Sequence, residues 1–226
     1  MRCIATEETA GWSASGRALQ RSTSCVERSW SHDVPRAFFA IALPEPARNA
    51  LILARDTILD SDPSWAGEKW VQPANLHITT LFLGEMTENG LRDAADAARG
   101  ALADMTPYLV SIDSVRATPS LRAASMLWAT PSTASGPTAG LASLLESACT
   151  PCRPPARHRG FTTHVTLCRT RERRRISAEA IDAAASQLRS QGDSASVSVA
   201  AVTLFTSTLT KRGPIYDQYA VIPLAG

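Results

Sequence analysis

From Arg36 onward, short runs in which apolar and polar residues alternate are interleaved with runs whose apolar residues recur every three to four positions; residues 1–34 show neither pattern. Alternation at period two marks half-buried strands, and spacing near 3.6 marks amphipathic helices. Strands are predicted over 36–43, 76–83, 108–117, 125–130, 161–168, 196–206 and 216–223. Helices are predicted over 46–59, with Pro46 in the first turn where its missing donor is harmless, and from Thr87 as N-cap through Leu102, with Glu88 at the positive end. Two more are predicted over 141–149 and over 177–188, the latter capped by Ser177. The order strand, helix, strand, helix, then the same again, points to an α+β fold of two related lobes.

Two of the predicted strands carry the same triplet, His77-Ile78-Thr79 and His164-Val165-Thr166, in a chain with only four histidines. Period two puts the His and Thr of each triplet on one strand face. A lone strand histidine is more often structural than catalytic, and a lone strand Thr is ordinary β composition. Two matched triplets make a paired site: one imidazole, with a reference pKa of about 6.5, can take a proton while the other gives one. Each Thr hydroxyl can then hold a phosphate oxygen as charge grows on it. This is equipment for cleaving a phosphodiester without a metal. Arg169 lies at an odd offset from His164, which puts it on the opposite strand face unless the strand ends or bulges first.

Composition narrows the class without deciding it. With 226 residues, of which 44% are hydrophobic, the chain can build one sizeable domain or two small lobes. The net charge of +2 argues against a general nucleic-acid binder, so the distribution of charge matters more. Arginines stand at 153, 157, 159, 169, 171, 173, 174 and 175 against the single acid Glu172. Such a run is either a solvated face or a phosphate-attracting rim bracketing the second triplet. The cysteines at 3, 25, 149, 152 and 168 read as reduced thiols. Cys149 and Cys152 form a C-x-x-C with His158 nearby, but a complete zinc ligand set is missing, so no metal is expected. Residues 1–34 are rich in Ser, Thr, Arg and Glu with no long apolar run; they read as a flexible extension or the product of an upstream start site, and His32 as an incidental surface residue. No segment is apolar enough to span a bilayer, which predicts a soluble, cytoplasmic protein.

Several further segments carry a resemblance. Arg36 to Pro44 (RAFFAIALP), Trp70 to Leu76 (WVQPANL), Leu83-Gly84-Glu85, Arg159-Gly160-Phe161 and Leu204 to Tyr216 (LFTSTLTKRGPIY) flank the triplets in a fixed order. In these and in the two triplets, the chain resembles the two-histidine (2H) phosphoesterase superfamily, and within it the bacterial and archaeal RNA 2′,3′-cyclic phosphodiesterases of the 2′-5′ RNA ligase family. The likeness spans residue 35 to the end. It implies two pseudo-symmetric lobes of antiparallel sheet with helices outside, each giving one His-x-Thr strand to a central cleft. It implies His164 as proton acceptor, His77 as proton donor to the departing O3′, and Thr79, Thr166 and Arg169 as phosphate-binding groups. Phe38, Phe205 and Tyr216 are candidates for the substrate cleft. RNA 3′ ends or cyclic nucleotides are the expected substrates, with no cofactor, no membrane association and a monomeric state. Two readings compete: a relative acting on 2′-5′ oligonucleotides or another small cyclic phosphate, and an RNA-end binding module without turnover.

The chain departs from the family pattern at two positions. Thr118 stands where many relatives carry an aromatic that could stack on the base, ahead of Pro119-Ser120 and ten positions before Trp128. Thr80 replaces a usual apolar residue on the face away from His77 and is expected to affect packing alone.

Overall fold

Five consecutive buried residues, Ala37 to Ile41, mark the first strand as a central one, covered on both faces. The structure, a computed structural model, describes residues 34–132, 136–152, 161–210 and 213–225. The expected extension lies outside these residues apart from Val34, as do His32, Arg153, Arg157, His158 and Arg159. In chain order the strands are β1 Arg36–Ala42, β2 Lys69–Trp70, β3 His77–Glu85, β4 Tyr108–Ser111, β5 Ser114–Thr118, β6 Ala124–Thr130, β7 Val165–Arg174, β8 Ser196–Val199, β9 Ala201–Thr210 and β10 Gly213–Pro223. The helices are α1 Glu45–Ser61, α2 Glu88–Leu102, α3 Gly136–Cys149 and α4 Ala178–Ser190.

The main sheet runs β10-β9-β1-β3-β7-β6-β5 with antiparallel neighbours, and β2 pairs with β7 beside this path. It falls into two halves, β10-β9-β1-β3 and β7-β6-β5, joined by one residue pair, Ile78 with Val165. Those are the middle residues of the two triplets, so the seam between the halves brings the two triplets together. The helices pair across the seam, α1 with α4 and α2 with α3. Phe39, Ile41, Ile78 and Val165 share one core with Leu51, Leu91, Leu141 and Ile181 of the helices. Full burial of side chains of this size stabilises by about 1.5–3 kcal/mol each, before the entropy of ordering them.

Both expected caps are present: the Thr87 hydroxyl accepts from the Gly90 N–H, and the Ser177 hydroxyl from the Ala180 N–H. Other boundaries moved for physical reasons. The strand expected over 161–168 begins only at Val165, because its partner β6 ends at Thr130 and Pro131 follows, which has no N–H for the ladder. The run 108–117 is two strands in different sheets, β4 with β8 and β5 with β6; between them the Asp113 carboxylate takes the Ser132 hydroxyl. The run 196–206 is interrupted at Ala200, whose carbonyl accepts from the Leu224 N–H. Helix α3 starts at Gly136 rather than 141, with Pro137 in its first turn. Among the described residues no helix is long and apolar enough to cross a membrane.

Candidate active site at the seam of the sheet

Pairing of Ile78 with Val165 in an antiparallel register sets His77 across from Thr166 and Thr79 across from His164. All four side chains line one cavity of about 230 Å³, with Phe38, Phe82, Trp128, Arg169 and Tyr216 among its other walls. The residues between them, Ile78 and Val165, point the other way into the core and are fully buried. The strand-face expectation for the triplets therefore holds for both.

Each histidine is oriented in the same way. His77 Nδ1 lies 2.7 Å from the Asn75 carbonyl and His164 Nδ1 lies 2.8 Å from the Thr162 carbonyl, in each case two residues back along the chain. A carbonyl only accepts, so Nδ1–H donates and the Nε2 lone pair of each neutral ring is turned toward the cavity. Asn75 is itself anchored, its side-chain amide donating to the Pro214 carbonyl at 2.9 Å. The rings differ in what holds Nε2. That of His77 lies 2.9 Å from the Thr79 hydroxyl, whereas that of His164 has no protein partner among the described residues. Trp128 stacks on His164 at 4.0 Å between centroids, while Phe38 and the edge of Tyr216 pack on His77 at 5.0 and 5.4 Å.

Burial holds both imidazoles below the ordinary histidine value, opposed by the carbonyl bonds that favour the protonated ring. The positive charge of Arg169 lowers both further, and that of His164 also lowers His77. Burial raises the Tyr216 hydroxyl above its usual value, partly offset by Arg169, so it remains a protonated donor.

A β-bulge brings Arg169 to the site. Thr166 pairs with Trp128 and Cys168 with Leu127, leaving Leu167 as the extra residue, and Leu167 and Cys168 are buried in succession. From that point the strand faces exchange, and Arg169 emerges beside His164 and Thr166 despite its odd offset. The same device occurs in the other half. Phe39 pairs with Leu81 and Ala40 with Thr79, so Thr80 is extra, and Thr80 and Leu81 are buried in succession. Both bulges fall three residues after their histidine. The residue five after His77 is Phe82, 66% exposed and lining the cavity as Arg169 does in the other half. The pseudo-symmetry thus sets an aromatic opposite a cation.

Phe38 and Tyr216 line the cavity. Phe205 does not; it sits behind Phe38, stacked on it at 5.5 Å. Trp128, Phe82, Met126 and Asn75 had not been singled out for the cavity, although Trp128 stood at a family landmark and Phe82 at the position matching Arg169. Thr80 is buried with no hydrogen-bond partner for its hydroxyl among the described residues and lies on the face away from His77. The arginine run divides. Arg169 reaches the cavity, whereas Arg174 is tied down structurally, 2.6 Å from Glu68 and over the Trp65 ring. Cys149 is buried and its thiol donates to the Ala94 carbonyl. Among the described residues no cluster of three or more His, Cys, Asp or Glu could hold a metal ion.

Comparison with known proteins adds a family. A family model described as the 2′-5′ RNA ligase superfamily matches residues 64–210. The RNA 2′,3′-cyclic phosphodiesterase of Methanothermobacter thermautotrophicus is 30% identical over 192 residues, covering 84% of this chain and 98% of that protein. The protein of the same description from Aquifex aeolicus is 26% identical over 161 residues, covering 70% and 82%. In structure, the chain matches E. coli LigT in its apo form with a TM-score of 0.63 at 22% identity, over 85% of this chain and 99% of that one, a likeness of fold.

Proposed function

The chain belongs to the 2′-5′ RNA ligase superfamily of 2H phosphoesterases, and from that membership we propose that it hydrolyses 2′,3′-cyclic phosphate ends of RNA to 2′-phosphomonoesters through a His77/His164 acid–base pair. The observation that carries this reading is the seam itself: two His-x-Thr triplets joined through Ile78 and Val165, with both Nε2 atoms turned into one cavity beside an arginine. The relatives' described activity supports the substrate class.

The chemistry is balanced by the residues at hand. His164 Nε2, with its lone pair free of partners among the described residues, takes a proton from water as the oxygen attacks phosphorus in line. The P–O3′ bond breaks on the opposite side, and His77 Nε2–H gives its proton to O3′. The phosphate stays on O2′. When His77 is protonated it no longer accepts from Thr79, so that hydroxyl is released to donate to a non-bridging oxygen. Thr166 and Arg169 complete the shell around the phosphate. Both rings are neutral in the free protein near neutral pH, and the negative charge of the bound diester favours the protonated ring that the acid step requires.

The test is to incubate the pure protein, with excess EDTA, with a nucleoside 2′,3′-cyclic phosphate and identify the isomer formed. We expect undiminished turnover to the 2′-phosphate alone. The 3′-isomer would reverse the assigned leaving group, and metal-reversible inhibition would refute acid–base catalysis without a metal.

We also propose that residues 35–226 form the catalytic domain and that catalysis does not need residues 1–34. The first described strand begins at Arg36, and every described residue that lines the cavity lies beyond it. Deleting 1–34 is then expected to leave kcat close to that of the full chain, because it removes no described residue of the cavity. A large loss of kcat with the fold retained by circular dichroism would refute this division.

A further inference from the structure

Behind Trp128 lies a second cavity of about 600 Å³, lined by Arg116, Thr118, Trp128, Thr130, Gly136 and Phe161 among others. It shares Trp128 with the catalytic cavity and reaches Thr162 and Thr163, immediately before His164. Sites that enclose a small molecule usually measure about 300–1,000 Å³. The catalytic cavity, at about 230 Å³, falls below that range, and the second cavity falls within it. Resting on the cyclic-phosphodiesterase reading, we propose that the second cavity binds the nucleotide preceding the cyclic-phosphate nucleotide in an RNA strand.

Its chemistry matches a nucleotide unit. Trp128 and Phe161 offer ring surfaces for a base. Arg116 has no acidic partner among the described residues and can meet the linking phosphodiester. Helix α3 begins at Gly136, with no acid in its first turn to compete for an anion and no atom of the described residues within 4 Å of where a Cβ on the glycine would stand. A further sign is Thr130. It is 3% exposed, lines this cavity, and its hydroxyl has no hydrogen-bond partner among the described residues. A buried hydroxyl without a partner is costly, and a small shift of this wall on binding would let a phosphate or base oxygen satisfy it. The nearby carboxylate of Asp113 is occupied by the backbone N–H and hydroxyl of Ser132.

The experiment compares kcat/KM for a nucleoside 2′,3′-cyclic phosphate with that for a dinucleotide ending in the same group, using the full chain. The dinucleotide is expected to be favoured by about tenfold or more, the scale of one hydrogen bond to a charged group. Arg116→Ala should remove most of that preference and leave the mononucleotide within about twofold. Thr130→Val should also reduce the preference while Tm stays level or rises, because the deleted hydroxyl has no partner among the described residues. Equal kcat/KM for both substrates in the parent protein, or equal slowing of both by Arg116→Ala, overturns the proposal. If neither substrate is hydrolysed, the activity reading fails instead. The subsite is then judged by the Kd of a dinucleotide 2′-phosphate, and a Kd unchanged by Arg116→Ala overturns it.

Discussion

Alanine at His77 or at His164 is expected to lower kcat for a 2′,3′-cyclic nucleotide by about 10²- to 10⁴-fold, the usual contribution of a positioned proton-transfer group. Both rings are held by a carbonyl at Nδ1 and packed against aromatics, so each is fixed in place before substrate arrives. Loss of the acid leaves O3′ to depart as an alkoxide, and loss of the base leaves neutral water as the nucleophile. The double variant should be little slower than the slower single one, because the two groups act in one concerted displacement. Asparagine variants, which keep polarity and approximate volume, should be as inactive as alanine; this separates proton transfer from packing. The measurement is single-turnover hydrolysis on variants whose thermal unfolding matches the parent. Near-normal turnover in either single variant would refute the acid–base pair.

The residues of this site were legible in the sequence to different depths. The triplets stood out because strand periodicity is local: Ile78 and Val165 needed only their own neighbours to mark which way His77, Thr79, His164 and Thr166 would face. Helix caps are local too, and Thr87 and Ser177 act where their side-chain chemistry predicts. The bulges at Thr80 and Leu167 were not legible, because a bulge is a property of two paired strands, and the second strand can lie distant in sequence. That is why Arg169 could be assigned to the phosphate only through family resemblance, against its own periodicity. Arg174 shows the converse. Nothing near it in sequence indicates Glu68, which draws it away from any phosphate-attracting rim. Trp128 and the cavity behind it required the assembled β6, α3 and the residues before His164.

Arg169 joins the bulge, the phosphate and the histidine protonation states, so its removal has two separable consequences. Arg169→Ala is expected to lower kcat by about 10²- to 10³-fold, on the scale of losing one preorganised donor to an oxyanion. Arg169→Lys should recover part of this, since the charge returns without the planar, multi-donor guanidinium. The second consequence is in the pH profile. Hydrolysis needs one ring protonated and the other neutral, which gives a bell in kcat/KM whose maximum lies between the two apparent values of the coupled pair. Burial and Arg169 hold both rings below the ordinary value, so the parent maximum is expected on the acid side of about pH 6.5. Removing the guanidinium charge relieves one of the depressing influences on each ring, so both values rise and the bell moves to higher pH. The lysine variant keeps a positive charge near the rings, and its bell should stay close to that of the parent. A merely structural arginine would alter the unfolding temperature and leave the bell in place. An unmoved profile in Arg169→Ala, with kcat changed by less than about threefold, would remove Arg169 from the site.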